Sequence, residues 1–450
     1  MSYSERLHKV IPGGAHTYSR GDDQYPSNAP QILERGKGAY VWDADGNKFL
    51  DYGLGLRSIT VGYDNDEISD AAIAEIKKGI NLTRASLTEL KAAELMISLF
   101  PWADMVKFGK NGSTVTTAAI KLARAYTGRK HVALCAEHPF FTYDDWFIGT
   151  TQMDKGIPSE SKSFSHKFNY NNIESLEKIF AEHPNEISCV ILEPTTFQSP
   201  CTNDKDGFLN KPHCTNCNCG QKNFLHQVKD LCKKNGAVFI LDEMITGFRF
   251  DLQGAMKLFD VEPDLATFGK GMANGFPLSA LIGKKEIMNL GGILEEGAER
   301  LFLISTTHGS EMSSLGAFIK TVEVYQKENV TQHIWDYGKK LIDGMNEIAA
   351  RLGIIDYFEV GGYACSPVYF TRDKDKNISL DFRTLFSQEM IKNGVLIPWI
   401  ALSCAHKEEE LVHTLHATLK ALEVYKKALK GNIEDYLVGK SIKPVFRKYN

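Results

Sequence analysis

The chain has 450 residues, of which 43% are hydrophobic and 24% are charged, and its formal net charge is −4. These ordinary proportions favour a globular protein with a large and a smaller domain, and the small net charge without a long basic block argues against nucleic-acid binding. The polar start MSYSERLHKV and the absence of a run of roughly 18 apolar residues predict neither a signal peptide nor a membrane helix. The nine cysteines, mostly single, favour a reducing, cytoplasmic location.

Along the chain, predicted strands alternate with predicted helices. The first 60 residues contain YVWDADGNKFLDY, which alternates and turns at Asp45-Gly46 like a β-hairpin. The following segment contains continuous apolar runs, which are typical of strands covered on both faces of a sheet. The predicted strands are 131–135, 187–193, 237–242, 265–269 and 278–283, and helical patterns cover 88–100, 114–126 and 221–236. This alternation predicts an α/β fold with a doubly wound sheet.

From about Ser310 the pattern changes to long helices, a short β-rich part near YACSPVYFTRD and a final helix at about 407–429. We therefore expect four parts along the chain. They are an N-terminal segment belonging to the small domain (1–60), a large α/β domain (61–309), a C-terminal α+β domain (310–430) and a tail (431–450).

One cluster of cysteines interrupts the large domain. The stretch HCTNCNCG contains Cys214, Cys217 and Cys219. A Cys-x2-Cys pair is half of a zinc knuckle, but Cys217 and Cys219 are too close together to supply a standard second half. We predict no metal site elsewhere, and we leave two readings of this cluster open: a structural zinc site or a surface loop with reduced thiols.

Two predicted strand ends carry residues that suit a ligand site. Asp242 ends the apolar run AVFILD, and Lys270 lies between two glycines directly after the strand 265–269. Ligands of open α/β sheets bind beyond the carboxyl ends of strands. The alternatives are that Asp242 only caps the next turn and that Lys270 is an ordinary turn residue.

A third element is the start of the helix predicted at 114–126. Asn111, Gly112, Ser113 and Thr114 would present N–H groups and hydroxyls at a helix N-terminus, where the dipole favours a phosphate. A simple N-cap would use the same residue types. A phosphate seat, a buried acid and a lysine on a glycine-rich loop together suit pyridoxal 5′-phosphate, because its phosphate needs donors, its ring nitrogen needs an anion and its aldehyde condenses with an amine.

These motifs resemble the class III aminotransferases. ILDEMITGFR followed by PDLATFGKGMANGFPLSALIG carries most of the resemblance, which extends over most of the chain through IPGGAHTYSR, AAIKLARAYTGR, VILEP and STTHGSE. Within the family, the likeness is strongest to glutamate-1-semialdehyde 2,1-aminomutase. The resemblance implies a fold type I pyridoxal-phosphate-dependent transferase, with a mostly parallel sheet in the large domain and a homodimer whose active sites are shared.

The resemblance also implies roles for individual residues. Lys270 is expected to be the Schiff-base lysine and proton shuttle, and Asp242 the partner of the ring nitrogen. The other expected cofactor contacts are Gly112 and Ser113 at the phosphate, Met244 on one ring face, Phe140 (or Phe141) as a stacking aromatic, and Thr306 (or Thr307) reaching the phosphate of a neighbouring subunit. Arg20 is expected to bind the substrate carboxylate.

The sequence departs from the family pattern near the cofactor and substrate. Thr114 replaces an acid, Phe140, Phe141 and Thr142 replace Tyr-His-Gly, and GVLIPWIALSCAH lacks a glutamate of the aminomutases. These departures favour an aminotransferase that moves an amino group between a small-molecule amino donor and a carbonyl acceptor. The alternatives are isomerisation of glutamate-1-semialdehyde, another pyridoxal-phosphate reaction, and a binding module without catalysis.

Overall fold

A computed structural model describes residues 1–200 and 222–450. Its strands are β1 (Leu33–Lys37), β2 (Tyr40–Asp43), β3 (Lys48–Asp51), β4 (Met105–Gly109), β5 (His131–Cys135), β6 (Ser165–Phe168), β7 (Ile187–Leu192), β8 (Val238–Asp242), β9 (Leu265–Phe268), β10 (Ser279–Gly283), β11 (Phe358–Tyr363), β12 (Ser366–Thr371) and β13 (Val395–Leu396).

The helices of the same residues lie mostly between these strands. They are α1 (Tyr3–Val10), α2 (Leu54–Arg57), α3 (Asp66–Ile76), α4 (Leu87–Leu99), α5 (Gly112–Thr127), α6 (Asp145–Ile148), α7 (Ser159–Lys162), α8 (Ile173–Glu182), α9 (Phe224–Asn235), α10 (Ala255–Leu258), α11 (Lys285–Met288), α12 (Met312–Glu328), α13 (Val330–Arg351), α14 (Leu380–Lys392) and α15 (Glu408–Ala428). Each described helix is too short or too polar to cross a lipid bilayer.

The chain divides into two compact units, of which the larger comprises residues 66–331 and 448–450. Its centre is a seven-stranded sheet in the order β4-β10-β9-β8-β7-β5-β6. The five strands from β9 to β6 run parallel to one another, and β10 runs antiparallel to both of its neighbours. This mostly parallel sheet confirms the predicted α/β class and the fold type I architecture.

The strands β7, β8, β9 and β10 are buried at every position, which explains why their sequences are continuously apolar. The five predicted strands and the three predicted helices of this unit are all present, with bounds that differ by no more than three residues. The helix expected from residue 221 begins at Phe224, where the Asn223 side chain accepts a hydrogen bond from the His226 N–H.

The second unit comprises residues 1–65 and 332–447. It contains a four-stranded sheet in the order β1-β2-β3-β13 and the hairpin β11-β12. The hairpin predicted at Asp45-Gly46 is formed by β2 and β3, and β13 joins β3 in parallel. The buried Tyr52 hydroxyl lies 2.7 Å from both the Tyr337 hydroxyl and Thr414 Oγ1, which ties the N-terminal strands to α13 and α15. The functional domain bounds at residues 60, 309 and 430 stay a prediction.

Candidate active site

The two strand ends singled out in the sequence are neighbours in the large sheet. Asp242 is the last residue of β8, and its Cα pairs in register with Thr267 of β9. Because β8 and β9 are parallel, both end at the same edge of the sheet, and Lys270 follows β9 after Gly269. The positive charge of Lys270 interacts with the Asp242 carboxylate. The fold therefore brings together the acid and the lysine that the sequence places far apart.

The Asp242 carboxylate is held in one orientation. Its side chain is 2% exposed, and its Oδ1 accepts hydrogen bonds from the Met244 N–H at 3.0 Å and from Thr267 Oγ1 at 2.9 Å. Its Oδ2 has no hydrogen-bond partner among the described residues. Burial raises the pKa of Asp242 to about 6, and the positive charge of Lys270 opposes that rise. A buried carboxylate with one unused oxygen suits a cationic ligand group.

The neighbouring acid, Glu243, has a structural role. It is fully buried, its Oε2 accepts hydrogen bonds from Thr246 Oγ1 and from the Ala255 N–H, and its Oε1 accepts one from the Met256 N–H at 2.7 Å. Burial raises the pKa of Glu243 to about 7. The carboxylate thus accepts hydrogen bonds from the backbone N–H groups at the start of α10, which begins at Ala255 and which has no earlier carbonyls to bind them. Although the two acids are adjacent in sequence, their carboxylates therefore have entirely different hydrogen-bond partners.

Lys270 has an unusual backbone conformation. Its φ is +43°, in the left-handed region that residues with a Cβ seldom occupy. It opens a single turn of 3₁₀ helix over Lys270–Ala273, which ends at Asn274 with φ +45°. Such conformations persist where the surrounding structure enforces them, and they cluster at active sites. The strain therefore adds a structural reason to place chemistry at Lys270.

The predicted phosphate seat is the N-terminus of α5, which packs against β9 and β10. Asn111 is the N-cap, and its side chain accepts a hydrogen bond from the Thr114 N–H at 3.0 Å. Ser113 is 5% exposed, and its Oγ accepts a hydrogen bond from the Tyr143 N–H at 3.2 Å, which leaves its own hydroxyl hydrogen available to donate. The start of α5 thus supplies both a helix dipole and a fixed hydroxyl.

Met244 connects this helix start to the end of β9. A Cβ added at Gly112 would lie 3.0 Å from Met244 Cε, and a Cβ added at Gly269 would overlap Met244 Sδ. Only glycine at both positions leaves room for the thioether. The same small region is therefore bordered by Met244, by Gly112 at the start of α5, by Asp242 and by Gly269, the residue before Lys270. The donors at α5, the buried carboxylate and the lysine amine fit a phosphorylated, cationic aldehyde such as pyridoxal phosphate.

The structure distinguishes between the two candidate stacking aromatics. Phe141 is 2% exposed and packs among His138, Trp146 and Phe147, whereas Phe140 is 47% exposed and touches Phe147 edge-on. A ring that stacks on a ligand needs an accessible face, so Phe140 suits that role and Phe141 belongs to the core. The stacking role itself stays a prediction.

Sequence reasoning missed two groups beside these residues. His138 follows β5, is 4% exposed and accepts a hydrogen bond from the Glu193 N–H at 2.8 Å through Nδ1; burial lowers its pKa to about 3, so the ring is neutral. Lys110 pairs with Glu311 at 2.8 Å, which joins the residue before Asn111 to the start of α12. The sequence could have indicated His138, because this residue closely follows the predicted strand 131–135 and ligand sites lie beyond the carboxyl ends of such strands.

The remaining predicted residues are not all in this unit. Thr306 and Thr307 are exposed in the segment before α12, where the Gly309 N–H donates to the Thr306 carbonyl and Asn81 donates to the Thr307 carbonyl. Arg20 belongs to the other unit, where it lines a cavity of about 750 Å³ with Tyr25, Tyr63 and other residues. Cys214, Cys217 and Cys219 lie outside the described residues.

Comparison with known proteins identifies the family of the chain. The family model "Aminotransferase class-III" matches residues 22–400. The chain is 30% identical over 434 residues to a 3-aminobutyryl-CoA aminotransferase of Cloacimonas acidaminovorans, covering 95% of the chain and 98% of that protein. It is 29% identical to a glutamate-1-semialdehyde 2,1-aminomutase of Francisella philomiragia, covering 92% and 95%.

A solved structure shows the same fold. The PLP internal aldimine form of the FumI protein of Sphingopyxis sp. MTA144 superimposes with a TM-score of 0.83 at 27% identity, covering 95% of this chain and 97% of that one. Enzymes of the family that the sequence model identifies use pyridoxal phosphate. From the match over residues 22–400 and the shared fold, we conclude that this chain belongs to the class III family of pyridoxal-phosphate-dependent aminotransferases.

Proposed function

We propose that this enzyme transfers an amino group between a small-molecule amino donor and a carbonyl acceptor, and that Lys270 is the residue to which pyridoxal phosphate attaches. The observation that carries the proposal is the pairing of the buried Asp242 with Lys270 at the ends of adjacent parallel strands. When bound, pyridoxal phosphate supplies a ring that withdraws electrons from the substrate carbon bearing the amino group. The residues of the chain then have separate tasks around that ring.

Lys270 and Asp242 perform the two electrostatic tasks. Asp242 holds a negative charge at the edge of the sheet. This charge would favour the protonated form of the cofactor's ring nitrogen, because opposite charges stabilise each other strongly where water is excluded. Lys270 Nζ would act as a general base that removes the proton from the substrate carbon bearing the amino group, and then as a general acid that delivers a proton to the carbon on the other side of the amino nitrogen. Lys270 begins the 3₁₀ turn Lys270–Ala273 at the edge of the sheet, where its charge interacts with Asp242.

The remaining residues orient the cofactor and substrate. The α5 N-terminus with Gly112 and Ser113 anchors the phosphate, Met244 packs on one ring face and Phe140 stacks on the ring. Arg20 binds the substrate carboxylate through its planar guanidinium group.

We also propose a homodimer in which Thr306 completes the phosphate site of the partner subunit. Exposed apolar side chains support an interface in the larger unit, since they concentrate between residues 73 and 90. They are Ile73, Ile76, Ile80, Leu82, Leu87 and Leu90. Light scattering measures the molar mass in solution, and a value equal to the 50.3 kDa of one chain would contradict the proposal.

The second candidate function is the isomerisation of glutamate-1-semialdehyde, because one relative is an aminomutase of that name. The two reactions differ in whether a second substrate is needed. For a transferase, we expect an amino donor alone to give one equivalent of carbonyl product per active site and then stop, with continuous turnover only after a carbonyl acceptor is added. Mass spectrometry of the products measures both stages. Repeated turnover of glutamate-1-semialdehyde alone would instead establish the aminomutase.

The variant Arg20→Ala tests in the same assays whether Arg20 binds the substrate carboxylate. Loss of a charged hydrogen-bond pair is expected to raise KM for carboxylated substrates by about 10–100-fold and to leave KM for amines without a carboxylate unchanged. Arg351→Ala, which removes an exposed guanidinium at the end of α13, is the matched control. Equal KM values for Arg20→Ala and the parent enzyme would remove Arg20 from the substrate site.

A further inference from the structure

Three histidines form a cluster at the opposite end of strand β5 from the cofactor site. His131 begins β5, His166 lies beside it in the edge strand β6, and His183 follows helix α8. One nitrogen from each ring lies within 4.8 Å of the other two. His131 Nδ1 and His166 Nε2 are 2.7 Å apart, with the ring planes inclined by 6°. Three imidazoles thus face one small volume.

A carboxylate lies on the outer side of this cluster. Glu186 Oε2 is 3.2 Å from His183 Nδ1 and 3.9 Å from His131 Nε2. His131 Nδ1 and His166 Nε2 face each other, whereas His183 Nδ1 faces Glu186. Histidine ligands of metals generally donate their second ring N–H to a carboxylate in this way, which fixes the tautomer and the ring orientation.

Charged side chains of both signs surround the cluster. Arg124 and Lys130 place positive charge near His131, whereas Glu182 and Glu186 place negative charge near His166.

We propose that His131, His166 and His183 bind a divalent transition-metal ion such as Zn²⁺, and that Glu186 orients the His183 ring through a hydrogen bond. Three imidazoles without a thiolate favour Zn²⁺, Ni²⁺ or Cu²⁺ over the hard ions Mg²⁺ and Ca²⁺. Tetrahedral ligation with bonds of about 2.05 Å places two nitrogens about 3.3 Å apart. The His131–His166 pair therefore opens by about 0.6 Å when the ion replaces the hydrogen bond between the rings.

The site would fasten the edge of the large sheet. Among the described strands, β6 is the outermost and pairs with β5 alone, and the ion would join both strands to the turn after α8. The metal end of β5 is its amino end, and the aromatic segment beginning at His138 follows its carboxyl end. The ion would stabilise the sheet and would take no part in amino transfer.

Zinc binding to the cofactor-loaded enzyme tests this proposal. The affinity tag is removed, and every variant carries serine at Cys214, Cys217 and Cys219, so that thiolates do not contribute. In competition with a chromogenic chelator, we expect one Zn²⁺ per chain with micromolar or tighter affinity. His166→Ala is expected to weaken binding by more than about 100-fold, and Glu186→Gln by about 10–100-fold, as is typical of groups that orient metal ligands. Zn²⁺ should also raise the unfolding temperature of the parent protein and not that of His166→Ala.

His416→Ala, which removes an exposed histidine of α15, is the matched control and is expected to bind Zn²⁺ like the parent. If His166→Ala does not fold, His183→Ala replaces it, because that side chain is 27% exposed and lies outside the sheet. No saturable binding, or equal affinity in the parent and the histidine variant, would overturn the site and leave the three rings as a hydrogen-bonded cluster.

Discussion

Replacing Lys270 with alanine is expected to lower kcat for amino transfer by about 10³–10⁴-fold or more. In the proposed function, this amine both attaches the cofactor and moves the substrate proton, so the variant would lose both roles. Alanine retains the Cβ, so the left-handed backbone at φ +43° is no more strained than before, and we expect the fold to be unchanged. Steady-state rates with donor and acceptor, together with the mass of peptides after borohydride reduction, measure the two losses separately.

Lys257→Ala is the matched control for this experiment. Lys257 is exposed in α10 of the same unit, and its removal is expected to leave both readouts unchanged. Retention of turnover within about tenfold of the parent by Lys270→Ala would be incompatible with a general acid–base role. Attachment of the reduced cofactor to a peptide without residue 270 would also disprove the assignment.

Asp242→Asn is expected to change activity and stability in opposite directions. The neutral amide cannot hold a negative charge beside the cofactor, so amino transfer should fall by about 10²–10³-fold. The same substitution should stabilise the cofactor-free protein at neutral pH, since it no longer buries an ionised carboxylate without a full set of partners. The amide oxygen can still accept the hydrogen bonds from the Met244 N–H and Thr267 Oγ1, so the local geometry is kept.

The pH dependence follows from the direction of the pKa shift. Burial raises the pKa of Asp242 from 3.8 to about 6, so between these values the folded chain binds more protons than the unfolded chain. The contribution of Asp242 to the stability of the cofactor-free parent therefore falls by about 2–3 kcal/mol as pH rises through this interval, and it stays lower above it. Asp242→Asn should lack this contribution, so urea unfolding at pH 4.5 and 7.5 should show a smaller fall in stability for the variant than for the parent, because the fall due to the buried Glu243 is common to both.

Asp70→Asn, at an exposed position of α3, is the control for the change of charge and should follow the parent at both pH values. A purely structural Asp242 would give the reverse result, in which the asparagine variant is less stable at pH 7.5 and its activity falls only in proportion to the folded fraction.

The centre of the fold was predictable because the central strands are buried on both faces and read as continuous apolar runs. The strands β4 and β6 were missed because their sequences are not continuously apolar. They form the two edges of the large sheet, and their sequences MVKFG and SHKF carry exposed lysines that break an apolar run. An edge strand has a neighbour on one side only and is more exposed to water, so its sequence can include charged residues and is harder to recognise as a strand.

The site was predictable where a motif marks a strand end and unpredictable where tertiary packing decides. The sequence places Asp242 and Lys270 after apolar strands, but nothing in it shows that Glu243 turns inward to hold α10. Phe140 and Phe141 have the same chemistry, and only the fold exposes one and buries the other. The histidine cluster arises from parallel strand pairing and the end of α8, which no local pattern predicts.

The thioether of Met244 makes three distant positions interdependent. Because it occupies the space that a side chain at Gly112 or Gly269 would need, enlarging either glycine forces the methionine to move. In evolution these positions should therefore covary, with a smaller residue at 244 accompanying any larger one at 112 or 269. For engineering, residue 244 is the position to trim first when a bulkier ligand is to be accommodated.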